Sequence, residues 1–290
     1  MKLTGWPRSL PVAQAPADPL SPQARPAAEG PTPLPARTRG GPGTLPEYLD
    51  QRSADQRSVS PATRRMLERA TDAMETVRRQ IPVRGNVDAD NEQTVGEAAR
   101  RVYATRFTVS AHMGRRLIDL SAQAPPTLRA AVLNTASARV TGAGNCQDFQ
   151  SAVLIEAGKR LKPGETLVPA TDHAGQHAFV QMESKRPDGT VRRAVLDAWS
   201  NGPAVLADDC AFAQHDPARL GVRVERPRDA RRADRLADKL VRDHNSDPAA
   251  LERLKQTLDA RTQAPPAVPI FEEMHVSGAL MVDLTGRRPG

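Results

Sequence analysis

From His177 to Trp199 the chain reads HAFVQMESKRPDGTVRRAVLDAW, and no other run constrains the fold as tightly. HAFVQME and RRAVLDAW alternate or run apolar over strand lengths. Between them stands Pro187-Asp188-Gly189, in which proline presets φ, aspartate bonds its own backbone and glycine reaches the left-handed region. The pattern predicts an antiparallel hairpin. Just upstream the period is different: Phe149, Val153, Leu154 and Ala157 fall on one helical stripe, opened by the glycine-broken turn TGAGN and closed by Pro163-Gly164. GVRVERP, from Gly221, is a further candidate strand.

Helices flank this unit on both sides. Ser60 can cap a helix with Pro61 at its first position, and Met66, Leu67, Ala70, Met74, Val77 and Ile81 recur at helical spacing. Val95, Ala98, Ala99, Val102 and Tyr103 mark a second helical face, and Pro125-Pro126 start a third short helix over Thr127 to Asn134. Beyond Pro227, Ala233, Leu236, Ala237 and Leu240 return to helical period. Asp247 then caps a last helix, with Leu251, Leu254 and Leu258 expected inside. The Asp and Arg residues that alternate from Asp229 to Asp243 read as i,i+4 pairs on a solvated face.

The front of the chain is unlike the rest. Eleven prolines lie between Pro7 and Pro46 among Ala, Ser, Gly and Gln, too little apolar side chain to offset the entropy of ordering. The expected organisation is therefore a disordered leader over 1–58, a helical front over 59–140, a core over 141–226 and a helical extension over 227–290, an α+β chain.

Charge and cysteine content narrow the function classes. The net charge is +7 and arginine supplies nearly all of the positive side, yet aromatic residues make up only 3%. Few stacking platforms are left for bases, and no nucleic-acid partner is expected. Two cysteines, Cys146 and Cys210, make no disulfide framework and no tetrahedral zinc set. His112, His215, His244 and His275 lack metal-ligand spacing, so neither metal nor cofactor is expected. No run approaches the length of a membrane span. Prolines interrupt the N-terminus too early for a signal peptide, and Lys2 stands where myristoylation needs glycine.

Cys146 differs from Cys210 in its place at the first turn of a helix. The unpaired N–H groups and dipole there favour an anion, which makes a thiolate available, and the same amides, that of Cys146 included, can receive an oxyanion. Asn145 is a candidate side-chain donor to that oxyanion. His177, opening the first hairpin strand, can serve as ion-pair partner and acid, and Asp197 on the second strand can set its tautomer. His173 is a rival for the histidine, although Gly175 implies a looser loop around it. Cys210 reads as a small buried hydrophobe.

A helix bearing cysteine, then an HAFV strand, then an LDAW strand resembles the transglutaminase-like branch of papain-type folds. The run VLDAWSNGPAVLADD, Val195 to Asp209, resembles the AvrPphE (HopX) family of bacterial type III secreted effectors. The resemblance covers Gly142 to Asp209, and Asn91 to Arg139 more loosely. It implies a papain/transglutaminase-like core with the nucleophile helix packed on a small antiparallel sheet, and a catalytic triad of Cys146, His177 and Asp197. It also implies a secreted cysteine hydrolase or acyltransferase acting on a host protein in the host cytoplasm, whose Pro-rich leader carries the secretion signal and binds a secretion chaperone. Protease, deamidase and transglutaminase chemistry all remain open, as do two rivals: a non-catalytic binding protein using the same pocket, and an enzyme of similar fold acting on a small molecule. One departure is plain: the family pattern puts an aspartate directly before the catalytic histidine, and here Asp172 precedes His173 instead.

Overall fold

The computed structural model describes residues 43–85, 96–119, 125–172, 177–186, 188–213, 217–219 and 221–259. The expected leader over 1–42, His173, Val95, Pro187 and the C-terminal extension from 260 onward lie outside the described residues. Everything described falls within one unit, Arg39–Gly290.

The hairpin is the centre of a five-stranded antiparallel sheet. β3 (Glu165–Thr171) pairs with β4 (Ala178–Lys185), which pairs with β5 (Val191–Leu196), with β6 (Val205–Leu206) at one edge and β7 (Ala218–Arg219) at the other. A separate two-residue pair, β1 (Val83–Arg84) parallel to β2 (Ala143–Gly144), ties the front of the chain to the turn ahead of Cys146. At the hairpin tip Asp188 Oδ1 accepts the Thr190 N–H at 2.9 Å and Gly189 has φ +82°, the division of labour its sequence implies.

The register Leu167↔Met182↔Ala194↔Leu206 puts these apolar side chains on one face of the sheet, and Val168↔Gln181↔Val195↔Val205 on the other. Helix α6 (Cys146–Gly158) covers the Leu167 face. Gly158 lies so close to Ala230 that a Cβ there would come within 2.7 Å of it, which lets α7 (Pro227–Asn245) cross over α6. α2 (Pro61–Gln80), capped by Ser60 with Pro61 at its first position, and α5 (Arg129–Thr141) flank α6 and share its core. α3 (Glu97–Ala104) runs through a π-helical turn, Thr105–Val109, into α4 (Ser110–Asp119). α8 (Pro248–Asp259) follows α7, with Asp247 Oδ1 accepting from Ala249 and Ala250. The mixture of helix and antiparallel sheet is the α+β class.

Five expectations need correction. The leader does not reach 58: α1 (Leu45–Ala54) starts at a Thr44/Glu47 capping box and docks through buried Tyr48, whose hydroxyl donates to Asp209 Oδ2 at 2.6 Å. The front, core and C-terminal stretches are not separate subdomains, since side chains from α2, α5, α6, α7 and the sheet share one hydrophobic cluster. GVRVERP supplies only an isolated bridge, Val224 to Leu167. The acidic face of α7 is not merely solvated, because Arg139 on α5 reaches Asp234 and Asp238 at 2.9 and 2.8 Å and Lys159 reaches Asp234 at 2.7 Å. In α8, Leu251 is exposed rather than inside.

Candidate active site

Cys146 is delivered by a chain of local decisions. Gly142 ends α5 with φ +68°, the left-handed conformation that favours glycine at a helix C-cap. Gly144 then passes so close to Asp148 that a Cβ would stand 2.9 Å from that residue's own Cβ. The approach lets Asp148 fold back and accept the Asn145 N–H at 3.0 Å, while Asn145 Oδ1 accepts from Gln147 and Asp148, a reciprocal cap on α6. Arg106, on the π-helical turn, donates to Asn145 Oδ1 at 2.6 Å and lies 3.4 Å from the buried Asp148 carboxylate. Burial pushes the Asp148 carboxyl above its ordinary range, opposed by Arg106.

This cap alters the expected oxyanion site. The Gln147 and Asp148 amides are committed to Asn145, so of the first amides of α6 the N–H of Cys146 is the one with no cap acceptor. Asn145 acts as the cap: its oxygen faces the helix amides, which turns Nδ2 away from them.

The structure brings Cys146, His177 and Asp197 together. His177 is 3% exposed just ahead of β4, and Asp197, 2% exposed, follows β5 directly rather than lying within it. His177 Nε2 meets Asp197 Oδ2 at 2.5 Å, and the Cys146 thiol lies near enough to the imidazole to act on it. With Nε2 taken by the carboxylate, Nδ1 is the nitrogen left for sulfur. Burial alone would push the imidazole down, but Asp197 and Cys146 override it and hold it up at about 10. The reverse holds for Asp197: burial raises its carboxyl, yet His177 and Ser200 carry it below the usual carboxylate range.

Both partners are fixed by residues the sequence did not single out. The Trp199 and Ser200 amides donate to Asp197 Oδ1 at 3.1 and 3.2 Å, and the Ser200 hydroxyl donates to Oδ2. Arg78, from α2, donates to the carbonyls of Ala198, Ser200 and Gly202, clamping the loop that carries Asp197. Arg84 reaches the Trp199 carbonyl and Asn201 Oδ1, both at 3.2 Å. Asp172 Oδ1 accepts the His177 N–H at 3.0 Å, and the Asp172 N–H donates to the His177 carbonyl at 2.9 Å. The aspartate expected next to the histidine thus abuts it in space, although four positions of sequence intervene. Phe212 packs its ring 4.4 Å from the imidazole, Trp199 at 5.1 Å and Phe179 at 6.1 Å. The one local signal for these was the sequence Asp-x-x-Ser at 197–200, a side chain that can bond its own backbone two and three residues on. The arginines come from more than 100 residues away and leave no local trace.

Among the described residues no group of three or more His, Cys, Asp or Glu side chains converges as a metal site, and no helix is long and apolar enough to cross a membrane. Compared with family models, curated proteins and solved structures, the chain has no match in any of the three.

Proposed function

We propose that the protein is a cysteine enzyme of acyl transfer, with Cys146 as nucleophile, His177 as its acid and base, and Asp197 as the residue that orients His177. The observation that carries this reading is the buried imidazole bonded to a carboxylate through Nε2, with a helix-start thiol beside it. A histidine that merely satisfied the core would need no thiol partner. An imidazole held up at about 10 keeps its proton at neutral pH, the proton that a departing amine needs.

The thiolate attacks an amide carbonyl, a backbone or glutamine amide, and forms the C–S bond as the carbonyl π electrons move to oxygen. The Cys146 N–H donates to that oxyanion. When the tetrahedral species collapses, the C–N bond breaks and His177 Nδ1 protonates the departing amine, leaving a thioester. Water attacking the thioester, with His177 taking its proton, completes hydrolysis or deamidation. An amine in its place completes cross-linking. Asp197 keeps the Nε2 side of the ring fixed throughout.

The wider reading is that of a type III effector acting on a host protein, in a papain/transglutaminase-like fold. It is supported by the cysteine-helix, histidine, aspartate order and by the likeness of Val195 to Asp209 to the AvrPphE family. Mass spectrometry of host extract treated with wild type or Cys146→Ala tests it: new termini indicate a protease, a gain of one dalton at glutamine a deamidase, and ammonia loss with cross-links a transglutaminase. Identical proteomes in the two treatments overturn host-protein chemistry. Iodoacetamide that labels Cys146 no faster than Cys210 overturns the catalytic reading itself.

A further inference from the structure

The face of the sheet turned away from α6 holds an unexplained group. Gln181, in the middle of β4, is 1% exposed, and its Oε1 has no hydrogen-bond partner among the described residues. A buried acceptor left unpaired is costly, and such groups in native proteins mark a water or a ligand. Gln181 lines an open cleft of about 320 Å³, lined also by Val191, Ala213, Pro217, Asp208 and the arginines of β5 and β7.

Among the described residues the arginines around it outnumber the carboxylates. Glu183, next on this face of β4, accepts from Arg193 at 3.1 Å, Arg219 at 2.9 Å and Arg223 at 3.1 Å. Three guanidiniums share one carboxylate, and Arg193 and Arg219 also wall the cavity. A second anion therefore has donors waiting for it, in the bidentate geometry that guanidinium offers a carboxylate. Across the cavity Asp208 and Gln181 Oε1 are acceptors, and they call for N–H donors on the same ligand. The volume is at the lower end for ligand sites and suits one or two amino-acid residues.

We propose that this face of the sheet carries a second binding site, distinct from Cys146 and His177, for a ligand with a carboxylate beside an N–H donor: an amino acid or the C-terminal residue of a peptide. The carboxylate lies against Arg193 and Arg219, and the nitrogen donates to Gln181 and Asp208. The wall residue Ala213 follows Phe212, whose ring packs on His177, so the site sits behind the imidazole without sharing its groups.

Calorimetric and NMR titrations of the full chain with L-alanine, N-acetyl-L-alanine and L-alaninamide test the proposal without any assay of catalysis. A carboxylate probe should bind saturably and shift the Gln181 side-chain amide and the Arg193 and Arg219 Nε–H signals, with L-alaninamide weaker by about tenfold or more. Binding of the acetylated probe as well as the free one assigns the site to peptide C-termini; binding of the free amino acid alone assigns it to amino acids. Arg219→Gln, on an edge strand, should weaken binding by about tenfold. Gln181→Met should abolish it while leaving thermal stability unchanged or raised. No saturable binding of either carboxylate, equal binding of L-alaninamide, or undiminished affinity in Arg219→Gln or Gln181→Met overturns the proposal.

Discussion

The two cysteines border the same core, yet their surroundings make different groups of them. Cys146 is half-buried at a capped helix start with an imidazole on its sulfur. Cys210 is fully buried after a short 3-10 turn, and burial pushes its thiol up to about 12, with Asp197 adding to the shift. What separates them is the histidine: interposed between Cys146 and the carboxylate, it turns an aspartate that would oppose a thiolate into one that supports its counter-ion. Removing the histidine should make the two thiols alike. In His177→Ala, iodoacetamide labelling of Cys146 near pH 7 should fall by about 10²–10⁴-fold, toward the rate of Cys210. A Cys146 that stays fast in this variant would place the activation in the helix start alone.

The next largest effect falls on the carboxylate. Asp197→Asn keeps the shape but removes the charge that holds His177 up, and the asparagine amide can present N–H to Nε2 and so favour the wrong tautomer. Labelling of Cys146 should drop by about 10²-fold or more, and the imidazole should titrate well below 10, measured by NMR of its ring protons. Labelling of Cys210 should stay slow, since its burial is untouched. Arg78→Met tests the support instead of the triad. Loss of a buried guanidinium that serves four loop carbonyls, that of Asp197 included, should cost about 3 kcal/mol in chemical denaturation, with a smaller loss of Cys146 labelling than in either triad variant.

The halves of this comparison were unequally legible. The sequence told the two thiols apart because glycine, asparagine and the apolar stripe after Cys146 are local signals, and the hairpin that brings His177 and Asp197 together was written in its turn and its alternation. β3 was hidden by Pro169. The bonds of Leu167 to Val224 show that odd-numbered residues of β3 turn their N–H away from β4. The missing N–H of Pro169 therefore falls in the gap between that bridge and β7, where a strand tolerates proline. α1 was hidden by composition: eleven prolines implied disorder through residue 58, although Thr44 and Glu47 spell a capping box and Tyr48 and Leu49 an apolar face. Arg78, Arg84 and the Tyr48 anchor on Asp209 are decided by tertiary approach, and no periodicity announces them.

The smallest effects separate the two thiols by pH. The raised imidazole of His177 contributes stability that is fully present below its unfolded value of 6.5 and is lost as pH rises through about 10. Asp197, lowered, acts oppositely: its contribution is present above its unfolded value of 3.8 and is lost as pH falls below it. Cys210, raised from 9.0 to about 12, also contributes stability lost toward high pH, but only once pH exceeds 9.0. Wild type should therefore lose stability in overlapping alkaline stages, from His177, from Cys210 and, above its ordinary 10.0, from Tyr48, which burial also raises. Cys210→Ala should cost about 1 kcal/mol at pH 7 for the buried sulfur, leave Cys146 labelling unchanged and remove the part of the fall that starts at pH 9.0. What remains below the range of Tyr48 is the fall from pH 6.5 to about 10, which His177→Ala should remove in turn. If the lower stage survives in His177→Ala, the imidazole is not the group that titrates there, and the contrast between the thiols needs another cause.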